Sequence, residues 1–345
     1  MKAKPADLPD GNENKNHQQD DYRDHNKKYA EAYFFSIIYH CTRHIIVDVC
    51  SDIHSTLAPE VFIRRGIILG QRHDADLSIV MKDLEPLSKL ISLKGKKALI
   101  TGSALGIGKA MAYRFAEAGA DLELVDINGR GLRTVAEELS KFKVKIYIHK
   151  VNLSSKEEIV ALWEELKGKE PDILVNNAGI YPFKDFLEVD DAFFGKVMDI
   201  NLKSALLMCQ HMIKRRLKKG GVIINIGSIE ALMPFVEGMA PYSISKAGVI
   251  ALTRSLAKEY GKNRFRINAI VPGGIITPGT KAVAKEITQL RLSLLRTGVL
   301  FSTRLPLKRG GQPDEVARIA VVLASDLSSY VHGALIPVDG GFLSA

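Results

Sequence analysis

The sequence is poor in residues that staple, stack or span. Its 345 residues include three cysteines (Cys41, Cys50 and Cys209), one tryptophan and 7% aromatics. Three thiols cannot close a paired disulfide framework, so a reducing compartment, the cytoplasm, is expected. No run of 18 uncharged apolar residues occurs. The richest stretch, residues 32–49, is broken by His40, Arg43, His44 and Asp48, so no membrane-spanning helix is expected. No apolar segment follows a basic start, which argues against a signal peptide. With 46% hydrophobic and 25% charged residues, what remains is an ordinary globular composition.

Charge divides the chain. The net charge is +9, yet the first 80 residues are slightly acidic and hold six of the nine histidines. The basic character therefore belongs to the remainder and suggests anionic ligands. Residues 1–30 are polar, with too little apolar surface to offset the entropy of ordering, and read as disordered. Residues 31–80 show no sustained period. Residues 1–90 are accordingly expected to be an N-terminal extension dispensable to a single domain over residues 91–345. Read-through from an early start and a regulatory or targeting appendage both account for such an extension. His40, Cys41, His44, Cys50 and His54 are potential zinc ligands, but their spacing fits none of the common finger patterns, so no metal is expected.

From Leu93 onward, short apolar runs alternate with amphipathic stretches. Strands are expected at 97–100, 122–125, 144–149, 173–175, 222–226, 267–271 and near 335. Helices are expected up to Gly119, near 130–141, over 155–167, 190–217 and 240–260, and over 313–324. Strands alternating with helices imply an α/β fold, a doubly wound parallel sheet covered on both faces.

The link between the first strand and helix reads Thr101-Gly102-Ser103-Ala104-Leu105-Gly106-Ile107-Gly108. Glycines let a backbone approach a pyrophosphate, and a helix N-terminus offers free N–H groups and a positive dipole end. A tight turn alone would also explain them, but strand, loop and helix follow in the right order. Asp126 lies 18 residues beyond Gly108, at the end of the second strand. A carboxylate there accepts hydrogen bonds from ribose hydroxyls and repels a 2′-phosphate. Tyr242 and Lys246 stand four apart on an expected helix and so share a face. Alone they would pass for a packing pair. A nearby ammonium favours a phenolate, however, and a phenol so tuned exchanges the proton that accompanies hydride transfer.

The glycine loop, Asn176-Asn177-Ala178-Gly179, Ser228, Tyr242-x-x-x-Lys246 and Pro272-Gly273 occur in the order of the short-chain dehydrogenase/reductase family. Residues 92–345, including Val338-Asp339-Gly340-Gly341, resemble that family. The resemblance implies a Rossmann fold and an oxidoreductase interconverting a secondary alcohol and a ketone. It implies Asn201, Ser228, Tyr242 and Lys246 as the catalytic set. Tyr242 would be the acid/base, Ser228 would bond the substrate oxygen, and Asn201 would hold a relay water near the lysine. For the cofactor it implies Gly102, Ser103, Gly106, Ile107, Gly108, Asp126, Asn152, Asn177, Ala178, Gly179, Tyr242, Lys246, Pro272, Gly273 and Thr277. Asn152 departs from the Asp common after the third strand, though its amide oxygen still accepts a bond from an adenine amino group.

NAD(H) is the expected cofactor, with NADP(H) as the alternative, because of Asp126. A 3-oxoacyl-acyl carrier protein reductase using NADPH is the competing enzyme. Arg215, Arg216, Lys218 and Lys219 would dock its acidic carrier, although a solvated helix end explains them equally well. A non-catalytic nucleotide-binding protein is disfavoured by the complete Asn, Ser, Tyr and Lys set. A nucleic-acid binder is disfavoured by the lack of a basic–aromatic array. Residues 279–305 lie where the family has its substrate lid, and their apolar and basic side chains suit either a lid or a packed helix. The family's habit of joining its two long helices around two-fold axes implies a homotetramer.

Overall fold

In the computed structural model the described residues are 84–279 and 303–345. The expectations for the extension, for His40, Cys41, His44, Cys50 and His54, and for most of the lid lie outside them. A one-turn helix (Leu87–Leu90) precedes the sheet. The elements that follow are β1 (Lys97–Thr101), α1 (Gly106–Glu117), β2 (Asp121–Asp126), α2 (Gly129–Leu139), β3 (Ile146–Lys150), α3 (Lys156–Glu165) and β4 (Ile173–Asn176). Then come α4 (Asp191–Met198), α5 (Ser204–Arg216), β5 (Gly221–Ile226), α6 (Ala240–Tyr260), β6 (Phe265–Pro272), α7 (Pro313–Ala324) and β7 (Leu335–Val338).

All seven strands are parallel, in the order β3-β2-β1-β4-β5-β6-β7. The chain winds outward from β1 in one direction, then crosses to β4 and winds the other way. The crevice between the carboxyl ends of β1 and β4 is where such a sheet places ligands.

The two faces show why the strands read as apolar runs. On one face Ala98, Ile100, Ile173 and Val175 pack with Met111 and Phe115 of α1, Leu132 and Val135 of α2, and Val316 and Ala320 of α7. On the other, Leu99 and Leu174 pack with Leu162 and Trp163 of α3 and Met208 and Met212 of α5. Successive strand residues point to opposite faces, so a sheet covered twice requires apolar residues at every position.

β2 contains an exception, Glu123, only 2% exposed. His149 of β3 approaches its carboxylate at 2.7 Å and Lys97 of β1 at 3.2 Å. A carboxylate inside a sheet persists only when partnered in this way.

The structure departs from two sequence expectations. β3 begins at Ile146 rather than at residue 144. The helix expected over 190–217 is divided by a wide π turn, Asp199–Lys203, between α4 and α5. The segments on either side each keep their own helical period, so the extra residue between them reads as part of one continuous helix.

Candidate active site

The crevice is built around Thr101, the last residue of β1. Its hydroxyl donates to the Val175 carbonyl (3.2 Å) and accepts from the N–H groups of Asn177 (2.9 Å) and Ala178 (3.0 Å). Asn177 returns the link, its amide donating to the carbonyls of Thr101 (2.9 Å) and Gly102 (3.1 Å). The glycine loop and the loop after β4 are thereby fastened together.

Space in the loop is tight. A Cβ on Gly108 would lie 2.1 Å from the Gly102 carbonyl oxygen, and one on Gly102, whose φ is +66°, would lie 2.9 Å from Ala178 Cα. No side chain caps the N-terminus of α1, whereas Asn128 caps α2 and Ser155 caps α3. An uncapped helix start behind a loop this lean in side chains fits a pyrophosphate. Gly106 and Ile107 form the first turn of α1.

Asp126 closes the adjacent edge. Its oxygens accept from the N–H groups of Ala104 (3.0 Å) and Asn128 (2.9 Å), which fixes the carboxylate between the loop and α2. Ser103 is fully buried, with its hydroxyl turned inward to the Val125 carbonyl (3.3 Å), so it supports the loop from behind. Asn152 has its amide oxygen occupied by the N–H (3.1 Å) and hydroxyl (2.8 Å) of Ser154. That leaves little of the acceptor expected for an adenine. Gly273 packs against Asp339, where a Cβ would lie 2.7 Å from Asp339 Cα, and Pro272 ends β6. Thr277 covers the glycine loop, its methyl 3.4 Å from where a Gly106 Cβ would be.

The chemistry-bearing residues gather beside this cradle. Ser228, two residues beyond β5, begins a 3₁₀ turn, and its hydroxyl accepts from the Glu230 N–H (3.2 Å). It also lies beside the Tyr242 phenol, whose pKa it lowers. Tyr242 lies in the first turn of α6, and its ring meets Tyr181 edge-on at 6.3 Å. Lys246, one turn later, is 4% exposed and donates to the Ile226 carbonyl (2.8 Å). Its ammonium is 5.9 Å from the Tyr242 ring centre.

Burial dominates the titration of both groups, contrary to the sequence expectation that the ammonium lowers the phenol. Although part of Tyr242 reaches solvent, crowding by protein pushes its phenol up to about 12; Ser228 opposes this weakly, and the acid Glu230 adds to it. Burial pulls Lys246 down to about 8. Desolvation outweighs a charge whose Nζ is bonded elsewhere.

Asn201 sits within the π turn. Its amide accepts from the Ile180 N–H (2.8 Å) and donates to the Ile180 carbonyl (2.8 Å) and the Ser245 hydroxyl (3.0 Å). Its side chain is spent on joining the loop after β4 to α6. Gly179 lies against both groups: a Cβ there would be 3.2 Å from Asn201 Oδ1 and 3.5 Å from Lys246 Nζ.

Asn176 points away from the crevice, into a buried chain through Asn225 (2.8 Å) to Thr253 (2.9 Å). Of the basic cluster near 215, Arg215 pairs with Glu164 (2.6 Å) and Arg216 with Asp172 (2.8 Å).

Sequence reasoning missed Thr101 as the fastening residue, Tyr181, and above all Glu230. Glu230 is 4% exposed. Its Oε2 accepts from the Phe235 N–H (3.3 Å) and the Ser243 hydroxyl (3.4 Å). Among the described residues Oε1 has no hydrogen-bond partner. Burial pushes this acid up to about 7, against weaker opposing bonds from Phe235, Val236 and Ser243. The only sequence signal was its place two residues after Ser228.

Comparison with known proteins gives a consistent picture. A family model described as enoyl-(acyl carrier protein) reductase matches residues 102–343. The 3-oxoacyl-[acyl-carrier-protein] reductase FabG of Aquifex aeolicus is 38% identical over 255 residues, covering 73% of this chain and 98% of the relative. Among solved structures, a protein assigned as an NAD(P)-dependent gluconate 5-dehydrogenase from Beutenbergia cavernae, with NADP bound at low occupancy, superposes with a TM-score of 0.69 at 31% identity. The match covers 74% of this chain and all of the other. A 7α-hydroxysteroid dehydrogenase complexed with NADH and 7-oxo glycochenodeoxycholic acid superposes with a TM-score of 0.68 at 32% identity, covering 74% and 98%.

The raised acid has a thermodynamic consequence. Between about pH 4.5 and 7 the folded protein keeps a proton on Glu230 that the unfolded chain has lost, so this residue's contribution to stability falls as pH rises through that window. Glu230→Gln removes the penalty. Relative to wild type it is expected to gain about 1 kcal/mol more at pH 8 than at pH 5, after a discount for water in the crevice. Denaturant unfolding at the two pH values measures this, and an equal difference at both would contradict it.

Proposed function

The chain belongs to the short-chain dehydrogenase/reductase family and is an oxidoreductase of CH–OH groups, and we propose that it interconverts a secondary alcohol and a ketone with NAD(H) as preferred cofactor. The observation that carries the reading is the convergence of Ser228, Tyr242 and Lys246 beside a cradle that a pyrophosphate fits. The proposed cofactor contacts run from Gly102, Gly106, Ile107 and Gly108 through Asp126 to Asn177, Ala178, Gly179, Pro272, Gly273 and Thr277. Ser103 and Asn152 act behind them as supports.

The bound dinucleotide supplies the hydride acceptor or donor and, when oxidised, a positive ring that favours a phenolate. The protein's residues do the rest. Ser228 donates a hydrogen bond to the substrate oxygen and orients it toward Tyr242. Tyr242 gives its phenolic proton to that oxygen in reduction and takes it back in oxidation. At about 12 its phenol is protonated, as a donor must be, but is a weak acid, so proton transfer in either direction requires that value to fall when the crevice fills. Lys246 holds its ammonium close behind the ring, and Asn201 keeps Ile180 and α6 in register. Asp126 accepts from the ribose hydroxyls and repels a 2′-phosphate.

A second reading, a 3-oxoacyl-acyl carrier protein reductase working with NADPH, rests on the Aquifex aeolicus relative. Two of the four basic residues expected to dock a carrier are already paired with acids of their own chain. A homotetramer accompanies the main reading, supported by apolar side chains left exposed on α4, α5 and α6: Phe194, Leu206 and Ile244. Sedimentation at micromolar concentration is expected to show the four-subunit species, and a lone monomer would exclude it.

Tyr242→Phe keeps the ring and removes the proton. Turnover is expected to fall at least about a hundredfold, with NADH binding by fluorescence titration unchanged; near-normal turnover would remove Tyr242 from its role. Wild type is expected to favour NAD(H) by ~1–3 kcal/mol, roughly 5- to 150-fold in kcat/KM. Asp126→Ala is expected to narrow that ratio, chiefly by admitting NADP(H). A wild-type preference for NADPH would favour the carrier-protein reading instead.

A further inference from the structure

Glu230 is not required by the chemistry of proton and hydride transfer, yet it stands beside the residues that perform it. It follows Ser228 by two positions, and its own N–H is bonded to the Ser228 hydroxyl. Its carboxylate reaches the hydroxyl of Ser243, the residue after Tyr242. Only Oε2 is engaged; Oε1 is buried and has no hydrogen-bond partner among the described residues. The charge of this acid is felt at the Tyr242 phenol.

A buried carboxylate oxygen left without a donor is costly, and a site retains one where the bound molecule completes it. We propose that Glu230 is a specificity-determining residue whose free Oε1 accepts a hydrogen bond from a second hydroxyl of the substrate, so that the substrate class is neutral and polyhydroxylated: a vicinal diol in oxidation, an α-hydroxyketone in reduction.

The alternatives fit the same surroundings less well. Above about pH 7, where Glu230 is ionised, an anionic substrate would set a second negative charge beside it. An unadorned acyl chain would set methylene groups against Oε1 and leave it without a donor. In a vicinal diol the second oxygen is one carbon from the reacting one. With the first at Ser228 and Tyr242, the second stays within the neighbourhood that Glu230 occupies through its bonds to Ser228 and Ser243. A site built to bond a hydroxyl also rejects the analogue lacking it more strongly than an apolar pocket discriminates by size. This inference rests on the alcohol–ketone reading above.

The test uses matched pairs that differ by one hydroxyl: butane-2,3-diol against butan-2-ol, and cyclohexane-1,2-diol against cyclohexanol. Each is oxidised by the full chain with NAD and with NADP. Wild type is expected to favour the diol by about tenfold or more in kcat/KM. Glu230→Gln, whose amide oxygen still accepts, is expected to keep most of that ratio. Glu230→Leu is expected to bring it near one, by a loss in kcat/KM that is larger for the diol than for the simple alcohol and falls mainly in KM.

Equal use of both members by wild type overturns the proposal. So does a Glu230→Leu variant that loses both members alike, which would mark a structural role only. Should no pair turn over with either cofactor, the alcohol–ketone reading fails for these substrates, and Glu230 is judged by binding. Calorimetric titration of the NADH-loaded Tyr242→Phe variant with cyclohexane-1,2-diol and cyclohexanol then decides: tighter diol binding that Glu230→Leu abolishes supports the assignment, and equal binding overturns it.

Discussion

Everything in the crevice depends on the knot between Thr101 and Asn177. β1 and β4 are neighbours whose continuations diverge, one into the glycine loop and one toward Ile180. A sheet opens at such a point, and an open crevice flanked by two loops would wander without a tie. One hydroxyl with three partners and one amide with two hold it. These bonds are largely shielded from water, where each carries more weight than it would at the surface. Gly102 and Gly108 are the counterpart of that tie, since the loops approach too closely to admit a Cβ at either position.

The same closeness sets the chemistry. Tyr242 and Lys246 are displaced in opposite directions by one cause, the removal of water, and each moves toward its neutral form. A neutral phenol and a weakened ammonium describe a site at rest. In the proposed reaction a positive ring would favour the Tyr242 phenolate while pressing Lys246 further toward its neutral form.

Much of this was legible in the sequence. Twofold-covered strands require apolar residues at each position, so runs such as Ala98-Leu99-Ile100 and Ile173-Leu174-Val175, alternating with helical stretches, announce a parallel sheet. Tyr242 and Lys246 announce a shared face by their spacing. What stayed hidden depends on where a side chain turns. Ser103 and Asn152 occupy loop positions that suggest ligand contact, yet their polar atoms face Val125 and Ser154. Asn201 carries an amide suited to a water relay, yet spends it on Ile180 and Ser245. Glu230 lies outside any periodic pattern, because a 3₁₀ turn of three residues is too short to have a period.

The π turn at Asp199–Lys203 has a consequence for its neighbours. It amounts to one residue added to a helix, and α4 and α5 bury their apolar faces on either side of it. Loss of a single residue there would restore an ordinary helix and leave Met208, Cys209 and Met212 in phase with the core. The Asn201 bridge to Ile180 and Ser245 would go with it, as would the Asp199–Lys203 ion pair that spans the turn. The wide turn is thus a local accommodation: it delivers one buried amide to two neighbours while the helices before and after it keep their own packing.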